Sequence, residues 1–466
     1  MLFSSIPFLF YFLPIFIACY FVTPKKLKNA VLLIFSLIFY AWGEPGYVVI
    51  MACSITAGYF FGLLIDRFRG RWQSKVFLFA NAAVCLGMLF YFKYTNFFIE
   101  NVQAVTGISM SVLKIALPIG ISFFTFQILS YDIDVYRGSV PVQKNFINLA
   151  AYIAMFPQLI AGPIVRYADI YKELDTRKHS FEKVSAGIRR FVVGLSKKVL
   201  LANSLSELCL IFRESGQPSV TFYWLYAVAF TLHIYFDFSG YSDMAIGLGK
   251  ILGFDFLENF NFPYISASIT EFWRRWHISL GSWFRDYVYI PLGGNRKGKL
   301  CWYRNILIVW LLTGIWHGAS WNFVIWGLMF AVLLVVEKLF LLNGIKRFKI
   351  AGHVYTLLFV VIGFVIFNAE SLSQMLGDLK GMFGLAGVPF MSVETGYQFF
   401  NYGGVILISV MSATPAIKLL LKKIKENDFG RLILSVAEPM ALLVLLVMCT
   451  ASLVDGSYNP FLYFRF

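Results

Sequence analysis

The chain has 466 residues, 59% of them hydrophobic and only 14% charged, with 50 Phe, 25 Tyr, 11 Trp and a mean hydropathy of +0.71. Soluble domains run at about 45–50% apolar and about 25% charged. The balance here therefore excludes a disordered chain, which is polar and poor in aromatics, and a water-soluble two-domain enzyme, which could not hide this much apolar surface.

A membrane-spanning helix needs about 20 mostly apolar residues. In chain order such stretches fall near 4–22, 29–43, 46–65, 75–93, 112–131, 187–213, 219–237, 303–317, 321–341, 352–368, 399–421 and 432–453. The predicted fold class is all-α, a polytopic integral membrane protein of about 11–12 transmembrane helices. The first span has no basic start and no small-residue cleavage site before Lys25 and Lys26, so it is read as retained rather than as a signal peptide. Pro7, Pro14, Pro118 and Gly120 interrupt some spans, which is tolerated only inside protein or along a cavity. The stretches 146–165 and 239–290 are apolar but broken by Pro, Gly and charges, and are expected to be re-entrant or interfacial.

The net charge of +15 would suit a nucleic-acid binder, but its distribution points to topology. With the N-terminus outside, the cytoplasmic segments hold Lys25, Lys26, Lys28, Arg67, Arg69, Arg71 and Lys75. They also hold every basic residue of 132–200 and 250–304, then Lys338, Lys346, Arg347, Lys349, Lys418, Lys422, Lys423, Lys425 and Arg431. Only Lys93, Lys114, Arg213, Lys380 and Arg465 of the 40 Lys and Arg fall elsewhere. Excess Lys and Arg mark the cytoplasmic side. Both termini are therefore expected outside, and the charge needs no nucleic acid. Residues 94–111 and 369–398 become the main extracytoplasmic loops.

The six cysteines are scattered, with no CxxC and no pairing with His, so neither a metal site nor a disulfide framework is expected. No internal repeat is evident. A transporter of inverted halves places interrupted segments in corresponding positions, whereas here they cluster in the middle third, which favours an enzyme over a carrier.

Ionisable groups in a membrane are costly and are usually functional or paired. Of the five histidines, His179 lies in a charged cytoplasmic loop and reads as solvated. His353 reads as interfacial and His233, in FTLHIYFDF, as a satisfied core residue. His317 differs. It stands in LLTGIWHGASWNFVIWG, where it needs a partner or a cavity. Gly314 and Gly318 permit close backbone approach there, and Trp316 and Trp321 could wall a tunnel. His277 lies among aromatics and Arg274, Arg275, Arg285, Glu271 and Asp286. Either an interfacial helix with snorkelling Arg or a functional site fits that pattern. No GxSxG, SxxK, HExxH or P-loop motif is present. A histidine base without a dedicated nucleophile suits direct transfer, in which it takes a proton from an acceptor hydroxyl while a bound donor supplies the acyl group. Asp237 and Asp243, around a bend expected at Gly240, either orient a histidine and shape the cavity or pair with a basic residue at a helix end.

These blocks are similar to the membrane-bound O-acyltransferase (MBOAT) family, in its bacterial alginate and peptidoglycan O-acetylation branch. The resemblance runs through MLFSSIPFLFYFLP, FPQLIAGPIVRY at 156–167, YFDFSGYSDMAIGLGKILGFDFLENFNFPY at 235–264, EFWRRWHISLGSWFRDYVYIPLGGNRKG at 271–298, LTGIWHGASWNFVIWG at 312–327 and NPFLYFRF at the end. It implies a single transmembrane domain over 1–466, with an MBOAT core at about 110–345 and C-terminal helices and an aromatic tail over 352–466. Helices would ring a tunnel from a cytoplasmic donor site to the opposite face. The essential intramembrane histidine falls on His317 and the second on His277, with Trp276, Trp316, Trp321, Asp237 and Asp243 as candidate tunnel residues.

The resemblance further implies a bacterial cell membrane, no permanently bound cofactor and acetyl-CoA as donor. Arg274, Arg275, Arg296 and Lys297 are candidates to meet its phosphates. The acetyl group would pass to an extracytoplasmic SGNH-type acetyltransferase or similar partner, and then to a polysaccharide hydroxyl. Tyr463 in the tail is a candidate acyl relay, with a purely anchoring aromatic tail as the alternative. A D-alanyl transferase of teichoic acid modification and a non-catalytic transporter are the rival readings.

Overall fold

A computed structural model describes residues 1–113, 115–160, 162–456 and 459–460. Among the described residues there are helices and no strand, which meets the all-α expectation. They group into two compact units, Met1–Phe191 with Met244–Leu257, and Val192–Asp243 with Glu258–Phe466.

In the first unit the N-terminal aromatics form a core. The ring of Phe156 packs against Phe12 (5.4 Å), Phe16 (5.1 Å) and Phe39 (5.4 Å). The backbone N–H of Phe156 donates to Ser36 Oγ, Gln158 Nε2 to the Tyr152 carbonyl and Tyr152 O–H to that of Val165. The irregular backbone after Phe156 is thereby satisfied away from water, as burial requires. The helix expected over 112–131 begins only at Ile121. Gly120 takes a left-handed conformation (φ +77°), and a Cβ there would lie 2.7 Å from the Leu159 carbonyl oxygen. Ile121–Arg137 packs on Val48–Arg67 at Gly58 and Gly62, whose missing side chains admit Ile128 and Tyr131.

In the second unit the expected 187–213 span is divided by a π-helical segment, Lys197–Ala202, followed by Asn203–Glu214. The helix expected to stop before Gly240 runs unbroken from Val220 to Leu252. Gly240 serves close approach rather than a bend, since a Cβ there would lie 2.7 Å from the Gly194 carbonyl oxygen. The span expected over 399–421 is two helices, Val393–Ser412 and Ala416–Lys425, set at 61°. Pro415 lacks an N–H and disfavours helical geometry in the residue before it.

Pro45–Arg67, Trp72–Thr106, Trp321–Ile345, Lys349–Asn368 and Asp428–Val454 are long and apolar enough to cross a membrane. Several other expected spans are shorter, such as Lys28–Ala41, or are broken as described. The best window of Asp428–Val454 has mean hydropathy 2.4 yet is only 6% buried within the protein. Continuous exposed apolar surface of this kind is stable against lipid and not against water. The chain is a multi-pass membrane protein.

Candidate functional site

The site lies in the second unit, on a helical hairpin and a segment of short helices. The hairpin is Lys299–His317 followed by Trp321–Val336. Its helices cross at two glycines. A Cβ on Gly314 would fall 2.4 Å from the Phe323 carbonyl oxygen, and one on Gly327 2.4 Å from that of Trp310. Small residues at such crossings let backbones touch, the usual basis of helix association in membranes. This contact sets the end of the first helix, where His317 stands. Its ring meets Trp316 (4.9 Å), Trp326 (5.2 Å) and Phe367 (5.2 Å) edge to face, the preferred geometry of aromatic pairs.

The second component begins with Ile269–Arg275, a helix of about two turns. The Ser268 side chain accepts from the N–H of Glu271 at 3.0 Å, a capping interaction. The carboxylate of buried Glu337, beyond the hairpin, accepts from the N–H groups of Ile269 (2.6 Å) and Thr270 (3.0 Å). A carboxylate at a helix N-terminus satisfies donors that have no partner within the helix. The chain then turns through His277, whose φ of 45° and ψ of 52° are left-handed, into Ile278–Phe284. His277 is buried, its Nδ1 lies 3.1 Å from Asn259 Oδ1, and its ring sits 4.6 Å from Phe238 and 6.2 Å from Trp316.

These elements line a cavity of about 520 Å³ whose walls include His277, His317, Trp273, Trp276, Trp310 and Thr313, together with Ser282, Tyr289, Arg274 and Arg285. It lies in the volume range of small-molecule sites, and its mainly apolar lining with a few polar groups is also typical of them. Chemically it offers two imidazoles in a largely apolar chamber, with two guanidinium groups on the wall.

The two histidines, Arg274 and Trp276 are thus brought to one cavity. Trp316 is buried and lies near both imidazole rings, while Trp321 is 48% exposed at the start of its helix. Arg275 pairs with Glu271 (2.9 Å) and also donates to the Asn261 carbonyl. Arg296 and Lys297 are exposed in the glycine-rich turn before Lys299. Asp237 and Asp243 pair with Lys198 (2.6 Å) and Lys197 (2.7 Å). Tyr463 lies outside the described residues. His233 Nδ1 meets the Ala202 carbonyl at 2.8 Å, and His353 Nδ1 that of Ser266 at 3.1 Å. His179, expected in water, is half-buried against Tyr20 and Phe21.

Sequence reasoning passed over Asn259, Glu337, Trp273, Trp310 and Thr313. Glu337 had a usable signal, an acid at the end of an apolar run. Asn259 had none, since a single amide in ENFNFPY is unremarkable among turn residues.

Comparison with known proteins places these features in context. The model of MBOAT, the membrane-bound O-acyltransferase family, matches residues 139–376. A probable alginate O-acetylase AlgI of Pseudomonas putida is 40% identical over the full length of both chains. A peptidoglycan O-acetyltransferase of Helicobacter pylori is 33% identical over 90% of this chain and 87% of its own. A teichoic acid D-alanyltransferase of Bacillus subtilis is 30% identical over 54% of this chain and 69% of its own.

Proposed function

The chain belongs to the membrane-bound O-acyltransferase family and is an acyltransferase, and from that premise we propose that it takes acetyl from cytoplasmic acetyl-CoA and passes it across the membrane for O-acetylation of an extracytoplasmic polysaccharide. The acceptor is an alginate-like exopolysaccharide or peptidoglycan, the materials named for two of its relatives. The whole chain acts as one catalytic domain in the bacterial cell membrane, with both termini outside, as its basic residues favour.

The observation that carries this reading is the single cavity lined by His277, His317 and Arg274. Arg274, aided by the nearby Arg285, meets the phosphates of the coenzyme, for which a planar guanidinium is well suited. The aromatic walls keep the thioester from water. His317 takes the proton of the acceptor hydroxyl as that oxygen attacks the thioester carbon, and the carbon–sulfur bond breaks to release the CoA thiolate. His277 orients the thioester or assists departure of the thiolate. Arg275, Arg296 and Lys297 add positive potential near the donor, and Arg275 also braces Glu271. The acceptor hydroxyl belongs to Tyr463 or to a serine of an SGNH-type partner, which completes transfer to the polysaccharide.

Purified protein given radiolabelled acetyl-CoA is expected to release CoA and yield labelled acceptor, and His317→Ala to abolish both at an unchanged membrane level. Absence of any reaction in the unaltered protein would sink the acetyl assignment, and reaction with a D-alanyl carrier donor instead would establish the rival. Tyr463→Phe discriminates the relay: full polysaccharide acetylation in cells would exclude Tyr463 and leave the partner's hydroxyl.

A further inference from the structure

Asn259 makes four contacts with the turn at His277. Its Oδ1 lies 3.2 Å from the N–H of Ser279, 2.9 Å from Ser279 Oγ and 3.1 Å from His277 Nδ1. Its own backbone carbonyl accepts from the N–H of Ile278 at 3.0 Å. Asn259, His277 and Ser279 are each at most 3% exposed.

The identities of the atoms follow from chemistry. A backbone N–H is always a donor, so the atom that Ser279 N–H meets must be an acceptor. This settles which end of the Asn259 amide is oxygen, a choice otherwise open in side-chain amides. An amide oxygen is only an acceptor, so the imidazole nitrogen facing it must carry the proton. Turning the amide over would set its NH₂ against the N–H of Ser279, two donors in contact. The present orientation leaves Asn259 Nδ2 buried and without a partner among the described residues, a costly state. His277 also holds a left-handed backbone conformation that is unfavourable for a residue with a Cβ. Strain and an unsatisfied donor concentrated around one histidine are the pattern of a functional position.

We infer that Asn259 is a positioning residue that locks neutral His277 as the Nδ1–H tautomer and so presents the Nε2 lone pair to the acyl-transfer cavity. The inference rests on the acyltransferase reading and narrows it. Neutral His277 enters the reaction as a proton or hydrogen-bond acceptor at Nε2. It donates to a departing sulfur only after Nε2 has taken up a proton, when the imidazolium is a donor at both nitrogens.

The test uses the full-length protein with ¹⁵N-labelled histidine, the His277 signals being those lost in His277→Gln. The expected spectrum shows a protonated Nδ1 and an unprotonated Nε2. Asn259→Leu is expected to mix the tautomers and lower kcat with acetyl-CoA about 10–100-fold, the scale of losing a partner that orients a reacting group, with KM little changed. Asn259→Asp keeps an acceptor at the same place and is expected to restore most of kcat. A protonated Nε2 in the unaltered neutral protein overturns the inference, as does an Asn259→Leu variant with unchanged tautomer and kcat. Full activity of His277→Gln beside the expected spectrum leaves the tautomer lock standing and removes His277 from the proposed reaction.

Discussion

Lys198 Nζ lies 2.6 Å from Asp237 Oδ1, and neither side chain has more than 1% of its surface exposed. The same ammonium donates to Asn203 Oδ1 at 2.9 Å and to the Pro460 carbonyl, while Asn203 Nδ2 donates to Asn459 Oδ1 at 3.2 Å. The ion pair thus ties the π-helical segment to Val220–Leu252, and hydrogen bonds from Lys198 and Asn203 fasten Pro460 and Asn459 beside it. Removing one partner of such a pair leaves an uncompensated buried charge, at a cost of about 3–5 kcal/mol. Lys198→Met and Asp237→Asn should each lower the melting temperature in detergent sharply. The double variant Lys198→Met/Asp237→Leu should recover much of the loss. A loss in the double variant as large as the two single losses added together would show that the two charges are not coupled.

The glycine crossing makes a second prediction. Gly327→Ala puts a methyl group 2.4 Å from the Trp310 carbonyl oxygen, so the two helices must separate. The expected cost is about 1–3 kcal/mol, with a loss of activity near 100-fold because His317 shifts with its helix. Gly344→Ala, whose Cβ would meet nothing within 4 Å, serves as the control and should be silent in both the melting and the transfer assay.

Glu337 supports the site from outside the cavity. Glu337→Ala strands the buried N–H of Ile269 and the N–H of Thr270. An unmet buried donor costs about 1–3 kcal/mol. The variant should melt earlier and lose transfer, whereas Glu337→Gln, which retains one amide oxygen as acceptor, should lie between it and the parent. Identical melting curves for all three would remove the carboxylate from the support of this helix.

In the loop between Tyr167–Asp175 and Phe181–Ser196, burial holds the His179 imidazole below its usual range, reinforced by the positive charges of Lys28 and Arg177. The unfolded chain therefore binds this proton more readily than the folded one. Stability from the neutral ring is full above about pH 6.5 and falls as the pH drops toward the lower folded value. Melting temperatures recorded from pH 7.5 down to 5 should decline, and less steeply in His179→Gln. Parallel curves for the two proteins would assign the decline to other groups.

How much could be read from the chain depends on the range of the interaction. Hydropathy identified the helical membrane class because each span is a local run, and Gly314 and His317 stood out because a glycine and an imidazole are conspicuous between apolar runs. Gly240 was misread as a bend because a glycine that ends a helix and one that admits a neighbouring backbone look alike without the Gly194 carbonyl beside it. Lys198 looked like one more topological charge, and its meaning depends on Asp237, one helix away. The roles of Asn259 and Glu337 belong to contacts with residues that no local pattern couples to them.

The cap supplied by Glu337 also has a consequence for biosynthesis. Its acceptor oxygens arrive 68 residues after Ile269. At about 5–20 residues per second of synthesis, that is a delay of roughly 3–14 s. During this interval the segment bearing His277 exists without the carboxylate that ends its first helix. The cavity is therefore completed late, when the returning half of the hairpin has been made. A nascent chain stopped at Gly318 would already contain both histidines and still lack Glu337 and the glycine crossing at Gly327.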